Sequence, residues 1–182
     1  MKSVLISIKP KWCEKIAYGR KKTEIRKTRP NIQAPFKCYI YQTKHKWICD
    51  FLGSHKIYSL AYKLDVSKGK VIGEFICDRV HEFKVFEDGS VQDWWFGDVN
   101  KSCLKYEEVA EYIGRNKTGY SWHISNLVIY DKPKELSDFN GVCARAHCSE
   151  QCKSFGKTCN LFEDGGKKTI SQPPQSWCYV DG

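Results

Sequence analysis

The pattern of apolar and polar positions predicts short strands that alternate with short helices. A first strand is predicted from Val4 to Ile8, and Pro10 then suits the first turn of a helix. The apolar face of that helix is formed by Trp12, Cys13, Ile16 and Ala17. Gly19 follows, and glycine most readily adopts the left-handed conformation that ends a helix. The chain therefore opens with a strand and an amphipathic helix.

Further strands are predicted where β-branched and aromatic residues cluster between turn signals. These runs are Cys38 to Gln42, Lys70 to Val80, His123 to Tyr130 and Pro173 to Val180. We expect the last run to rejoin the main sheet as a closing strand. A helix is predicted from Tyr106 to Gly114, with Val109, Tyr112 and Ile113 on its apolar side. Gly73, inside its strand, predicts a bulge or a close approach by ligand or backbone.

The segment from Gly19 to Arg26 gathers charge where a small domain normally buries apolar side chains. It reads as a strand, so Lys22, Glu24 and Arg26 are predicted to share one side, and Thr23 and the following isoleucine the other. A carboxylate between two cations marks a candidate site. The alternative is a solvated strand whose surface charges neutralise one another.

Composition narrows the class of partner. The chain of 182 residues is 41% hydrophobic, which is enough for one core with a small appendage. Its 30 lysines and arginines exceed its 21 acidic residues and give a net charge of +9, which favours an anionic partner and makes nucleic acid the leading class. No window holds the roughly 20 apolar residues of a membrane span, and the first apolar run is too short for a signal peptide. We therefore expect a soluble cytoplasmic protein without a membrane association.

The ten cysteines include a cluster with the spacing C-x4-C-x3-C-x6-C. Its members are Cys143, Cys148, Cys152 and Cys159. Thiols stay reduced in the cytosol, so such a cluster indicates a metal more than disulfides. Four soft ligands suit a tetrahedral structural zinc ion, with Cys178 or His147 as a replacement for one of them. An iron–sulfur cluster, and free or disulfide-bonded cysteines, are the alternatives.

The order of these elements and residues resembles the ASCH domain family. Gly19, Lys21, Glu24 and Arg26 match the family's Gly-x-Lys-x-x-Glu-x-Arg signature position by position. Ser7 to Lys11, Lys70 to Phe75, and Trp122 to Ile124 with Pro133 and Phe139 resemble other segments of the family. The resemblance covers about residues 3 to 139 and, more weakly, 173 to 180, but not the cysteine-rich insertion.

The resemblance implies an α+β fold, built on a PUA-like β-barrel with flanking short helices. Residues 1–140 would form the barrel and residues 171–182 a strand that returns to it. The cysteine-rich insertion at 141–170, which the resemblance does not cover, is expected from its spacing to bind zinc. The resemblance also implies a cleft, lined by the charged strand, that accepts a nucleotide or nucleic acid.

Some small ASCH proteins are amidohydrolases that act on N4-acetylcytidine with a lysine, a threonine and a glutamate, and others are ribonucleases. By this resemblance Lys21 corresponds to the lysine, but Glu24 stands where the threonine would be, and Thr23 should face the other way. Glu24 would then hold a water molecule as a general base, or orient Arg26. Glu74 is a second candidate carboxylate, and the two would divide acid and base roles if they met in the cleft.

Arginine and lysine suit phosphate or a carbonyl oxygen. The predicted ligand-binding residues are Lys9, Lys11, Lys21, Lys22, Arg26, Arg29 and His123. The leading hypothesis is that the protein binds RNA or a modified nucleoside through a basic cleft. The alternatives are a hydrolase that acts on RNA or N4-acetylcytidine, and a module whose basic face binds an acidic protein.

Overall fold

A computed structural model describes residues 2–44, 67–92, 98–143 and 167–182. In these residues the strands are β1 (Lys2–Ile8), β2 (Thr23–Arg26), β3 (Phe36–Gln42), β4 (Val71–Cys77), β5 (Val80–Val85), β6 (Val91–Gln92), β7 (Lys117–His123), β8 (Ser125–Lys134), β9 (Asn140–Val142), β10 (Lys167–Thr169) and β11 (Trp177–Asp181). The helices are α1 (Pro10–Ala17) and α2 (Tyr106–Ile113), with short 3-10 turns at Asn100–Ser102 and Leu136–Asp138. The described part of the chain is therefore mostly β with two α-helices, as the predicted α+β class requires.

The strands form two sheets. One has seven strands in the order β10-β9-β11-β1-β3-β4-β8, and the other has four in the order β2-β7-β5-β6. The strand β1 lies between a parallel neighbour, β3, and an antiparallel neighbour, β11. The C-terminal segment thus rejoins the main sheet, as predicted, but as an internal strand between β9 and β1 and not as a closing one. Among the described strands both sheets remain open, so the closed barrel that the resemblance implies is not found.

Three apolar clusters hold the sheets and helices together. The largest lies between the two sheets under α1, and it includes Ile6, Ile16, Phe75 and Trp122. A second covers the other face of the seven-stranded sheet, and a third joins the four-stranded sheet to α2. Tyr112 of α2 is 39% exposed, and Ala110 is buried in its place, which corrects the predicted apolar side of that helix.

Two predicted strands are each divided in the structure. The run from Lys70 to Val80 gives β4 and the start of β5, and the run from His123 to Tyr130 gives the end of β7 and most of β8. At both breaks the chain crosses from one sheet to the other. Cys77 is buried at the first break and Ile124 at the second, while Val80, His123 and Ser125 are partly buried. The predicted strands ran through both crossings because apolar residues resume directly after each one.

The prediction of a close backbone approach at Gly73 is confirmed. A Cβ atom on this glycine would lie 2.3 Å from the carbonyl oxygen of Val128 in the neighbouring strand. The register of β4 with β8 also shifts on both sides of this position. Glycine is therefore required at this position of β4, where β8 pairs with it.

Candidate functional site

Lys21, Glu24 and Arg26 converge in the interior and form what we call the buried triad. The Lys21 Nζ lies 3.1 Å from Glu24 Oε2, and Arg26 NH2 lies 3.0 Å from Glu24 Oε1. The three residues are only 2%, 7% and 6% exposed, respectively. The sequence prediction of a carboxylate between two cations is borne out by these contacts, but one of the cations is Lys21 and not Lys22.

The turn after α1 explains why Lys21, and not Lys22, contacts Glu24. Gly19 has a φ of +68°, and the backbone N–H groups of Arg20 and Lys21 both donate to the carbonyl oxygen of Lys15. This turn closes the helix, so β2 begins only at Thr23 and the alternation expected from Gly19 onward does not apply. Lys21 is buried and Lys22 is exposed as a result.

The lysine of the buried triad is held by backbone oxygens as well as by Glu24. Its Nζ donates to the carbonyl oxygens of Thr23 at 2.9 Å and Ser102 at 2.8 Å. An ammonium group has three donors, and with Glu24 all three have an acceptor close by. The angles at Glu24 Oε2 do not meet hydrogen-bond geometry, although the 3.1 Å separation makes it an ion pair. Lys21 is thus fixed in place, which suits a structural role better than proton transfer.

The arginine of the buried triad ties β2 to two other parts of the chain. Its NH2 donates to the carbonyl oxygen of Ser7 at 2.7 Å, and its NH1 donates to Ser176 Oγ at 3.3 Å. Cys13 of α1 is buried near the same charges. Its burial and the Glu24 carboxylate raise the pKa of its thiol well above the usual value. The buried triad therefore sits where α1, β1, β2 and the C-terminal segment meet.

Thr23 lies on the opposite side of β2 from Glu24, as the alternation predicts. Ile25, which shares its side, packs in the cluster beneath α2, and Thr23 is fully buried. Its Oγ1 has no hydrogen-bond partner among the residues that the structure describes. An activated hydroxyl nucleophile needs a base within reach, and the geometry brings no described base to this oxygen.

Glu74 does not meet Glu24. It is opposite Tyr39 in the β3–β4 ladder, and Tyr39 belongs to the cluster on the outer face of the seven-stranded sheet. Its carboxylate accepts hydrogen bonds from Lys37 Nζ at 2.9 Å and from the Tyr130 hydroxyl at 2.5 Å. Burial alone would raise the pKa of Glu74, but these two hydrogen bonds outweigh it and lower the pKa. The hypothesis of a Glu24 and Glu74 acid–base pair is therefore not supported by the geometry.

His123 ends β7 and is held by a carboxylate that sequence reasoning did not single out. Its Nδ1 lies 2.6 Å from Asp78 Oδ1, which is 45 residues away in the chain. A second pair of this kind joins His81 Nδ1 to Asp98 Oδ2 at 2.6 Å. Burial raises the pKa of Asp98, but hydrogen bonds from His81 and Lys101 outweigh that effect and lower it. No sequence motif signals either pair, since both depend on how the sheets cross.

The remaining predicted ligand-binding residues lie at the surface. Exposed cations of the segment 9–29, which we call the basic segment, are Lys9, Lys11, Arg20, Lys22, Lys27 and Arg29. Four aromatic rings lie against cations of this segment. The contacts are Lys11 and Lys15 over Trp12 at 4.3 and 4.9 Å, Arg20 over Tyr18 at 5.2 Å, Lys27 over Tyr112 at 5.2 Å and Arg29 over Tyr120 at 6.0 Å. Each of these four partly exposed rings thus has at least one cation of the basic segment beside it.

The predicted zinc site falls mostly outside the described residues. Of its four cysteines the structure describes Cys143, which is partly buried. Cys148, Cys152 and Cys159 lie in the segment 144–166, outside the described residues. No group of three or more metal-ligating side chains occurs within the described ranges, and the zinc site stays a prediction. None of the helices described is long and apolar enough to cross a membrane.

Comparison with solved structures confirms the resemblance to ASCH domain proteins at the level of the fold. The crystal structure of ASCH from Zymomonas mobilis matches with a TM-score of 0.56 and 16% identity, over 98% of this chain and 87% of that one. Its serine-to-alanine mutant matches with a TM-score of 0.57 and 15% identity over 98% and 88% of the two chains. Its tyrosine-to-phenylalanine mutant matches with a TM-score of 0.55 and 16% identity over 100% and 91%. The chain therefore has the fold of an ASCH domain protein. No protein-family model matches the sequence, and a comparison with curated proteins finds no relative.

Proposed function

We propose that the protein binds single-stranded RNA, with the basic segment as the contact surface. The observation that carries this proposal is the set of exposed cations along residues 9–29, together with four partly exposed rings that pack against cations of that segment. Nine lysines and arginines lie in this segment against two glutamates. Lys21, Arg26 and Glu24 form ion pairs with one another in the buried triad, so the surface retains the other seven cations and Glu14.

Cations and rings serve different parts of a nucleic acid. Lysine and arginine side chains contact phosphates and release counterions, while aromatic rings stack on unpaired bases. Trp12, Tyr18, Tyr112 and Tyr120 are each partly exposed, so each ring retains some surface for a base. Unpaired bases are available in single-stranded RNA and in loops, which favours these over a regular duplex.

The proposal is binding without turnover. Lys21 is fixed by two backbone oxygens and Glu24 by two cations, so both side chains are held inside the fold. The buried triad then acts as a support that fixes α1 and β2, and so the two ends of the basic segment, relative to each other. A labelled RNA that is cut or deacetylated by purified protein, at a rate that Glu24→Gln abolishes, contradicts this part of the proposal.

The binding test is fluorescence anisotropy with a labelled single-stranded RNA at several salt concentrations. For single strands the slope of log K against log salt is roughly −0.7 per phosphate contact, so Lys11→Gln and Lys22→Gln should each make the slope shallower by about 0.7. Tyr112→Leu should weaken binding by about 1–3 kcal/mol, the value of one stacked base, with little change in slope.

Lys84→Gln is the matched control, because Lys84 is exposed on the four-stranded sheet and lies outside the basic segment. It should leave affinity and slope unchanged. Equal effects of Lys84→Gln and Lys11→Gln would show binding by net charge alone, and would contradict the proposal. So would equally tight binding of polyglutamate, which is the result expected for a surface that recognises acidic proteins.

A further inference from the structure

A concave site lies next to the buried triad, whose Arg26 donates to the carbonyl oxygen of Ser7, one of the residues that line this site. A cleft of about 620 Å³ opens where β1 and β3 end, and the segment 171–175 forms one of its walls. Its volume is within the roughly 300–1,000 Å³ range of small-molecule sites. The cleft adjoins the apolar cluster on the outer face of the seven-stranded sheet, because Tyr41 and Ile170 belong to both.

Hydroxyl groups line the floor of this cleft. Ser7 and Tyr41 are partners in the parallel β1–β3 ladder, so their side chains lie side by side on one face. Thr43 continues that face two residues further, and its N–H donates to the carbonyl oxygen of Ile8, which extends the ladder. Its Oγ1 is buried and has no hydrogen-bond partner within the described ranges. Tyr41 is 2% exposed, and burial raises the pKa of its phenol, which therefore remains a donor.

The charge of the cleft is positive. The Lys44 side chain packs directly over Gly69. A Cβ atom at position 69 would lie 2.7 Å from the Lys44 Cε, so a glycine is needed there to leave room for the lysine. The carboxylate of Glu135, which also lines the cleft, is paired with Lys70 at 2.6 Å. Among the described residues no acidic group pairs with Lys44. The cleft thus presents one available cation and one carboxylate that is already neutralised.

The walls combine apolar and polar surface. Leu136, Ile170, Pro173 and Pro174 provide apolar contacts, and Ser137, Ser171 and Gln175 provide further polar groups at the rim. The Ser7 hydroxyl already donates to the carbonyl oxygen of Pro174 at 2.6 Å. A wholly apolar ligand would leave the Thr43 hydroxyl unsatisfied, and a bare inorganic ion would leave the apolar walls without contact. The best match is a small organic ligand that has both hydroxyl groups and a negative charge.

We propose that this cleft binds a phosphorylated sugar, free or as part of a nucleotide, with the phosphate on Lys44 and the sugar hydroxyls on Tyr41 and Thr43. The inference goes beyond the proposed RNA binding, because it uses neither the rings nor the exposed cations of the basic segment. The two sites use different residues, so each proposal can fail without the other.

Isothermal titration calorimetry of the full chain with ribose 5-phosphate tests the proposal. Saturable binding is expected with a Kd of about 1 mM or tighter, which corresponds to a binding free energy of about −4 kcal/mol or more favourable. Lys44→Gln should weaken binding roughly tenfold, and Thr43→Val, which keeps the shape and removes the hydroxyl, roughly fivefold. Ser137→Trp, a change at an exposed rim position, should block the cleft without disturbing the core.

The matched control is again Lys84→Gln, which removes the same charge outside the cleft and should leave the Kd unchanged. Adenosine and cytidine monophosphates distinguish a free sugar phosphate from a nucleotide as the ligand. If either monophosphate binds more tightly than ribose 5-phosphate, the ligand is a nucleotide; if they bind equally, it is the sugar phosphate. Ribose and inorganic phosphate should each bind more weakly than their combination. The proposal is wrong if ribose 5-phosphate does not bind up to about 10 mM, if inorganic phosphate binds equally well, or if Lys44→Gln and Ser137→Trp leave its Kd unchanged.

Discussion

Replacing Glu24 by glutamine removes the negative charge of the buried triad and keeps the size of the side chain. The variant leaves the cations of Lys21 and Arg26 buried without a counter-charge, at positions where the wild-type contacts are 3.1 and 3.0 Å. The glutamine amide also turns donors toward one of these cations, since only one of its two terminal atoms accepts hydrogen bonds.

The magnitude follows from distance and burial. At an effective dielectric constant of about 20, each contact near 3 Å corresponds to about 5 kcal/mol of attraction, most of which is offset in the intact triad by the desolvation of its charges. Removing one partner from a buried pair loses the attraction, but the remaining charges still carry the free-energy cost of desolvation. We therefore expect the free energy of unfolding to fall by about 3–5 kcal/mol. For a domain of this size, that corresponds to a melting temperature lower by roughly 6–20 °C.

Urea unfolding followed by tryptophan fluorescence measures the loss, and Glu135→Gln is the matched control. Glu135 also pairs with a lysine, at 2.6 Å, but the two side chains are 57% and 39% exposed. An exposed pair contributes about 0–1 kcal/mol, so the control should lose no more than that. If the two variants lose the same amount, or if Glu24→Gln loses less than about 1 kcal/mol, the argument that the triad is a buried structural support is refuted.

Three further predictions concern other parts of the chain. Gly73→Ala should destabilise the protein by about 1–3 kcal/mol, because the new methyl group meets a backbone oxygen that cannot turn away, whereas Gly141→Ala, whose nearest contact would be 3.5 Å, should change the unfolding midpoint little. The pKa of Asp98 is lowered in the folded state, so its contribution to stability is complete above the usual value of 3.8 and is lost as the pH falls through the folded-state pKa. Asp98→Asn should therefore be less stable than the wild type near neutral pH, and the difference should shrink below pH 3.8; a difference that does not change with pH contradicts this reasoning. Native mass spectrometry should detect one zinc ion per chain that Cys152→Ser removes, and a metal-free wild type contradicts the zinc prediction.

The buried triad shows how far the sequence could predict the site. The signature spacing of Lys21, Glu24 and Arg26 was sufficient to predict that they act together, because it is a local pattern. It could not predict that Lys21 enters the site from a turn outside the strand. That depends on the hydrogen bonds to Lys15 and on the carbonyl oxygen of Ser102, which is 81 residues away from Lys21.

The placement of Glu74 and His123 was beyond the reach of sequence reasoning for a different reason. Each lies next to a position where the chain passes between sheets or changes register, and a single change of register moves a side chain to the other face. The glycine at position 73 signalled the irregularity correctly, but a glycine does not reveal which face its neighbours occupy. The pairing of His123 with Asp78 arises from that same crossing.

The position of β11 affects how the protein folds as it is synthesised. Among the described strands it is made last, yet it pairs with β1, which is made first. Until residues 177–181 emerge from the ribosome, the nascent chain carries an uncovered β1 edge with unpaired backbone groups, a surface open to aggregation or chaperone binding.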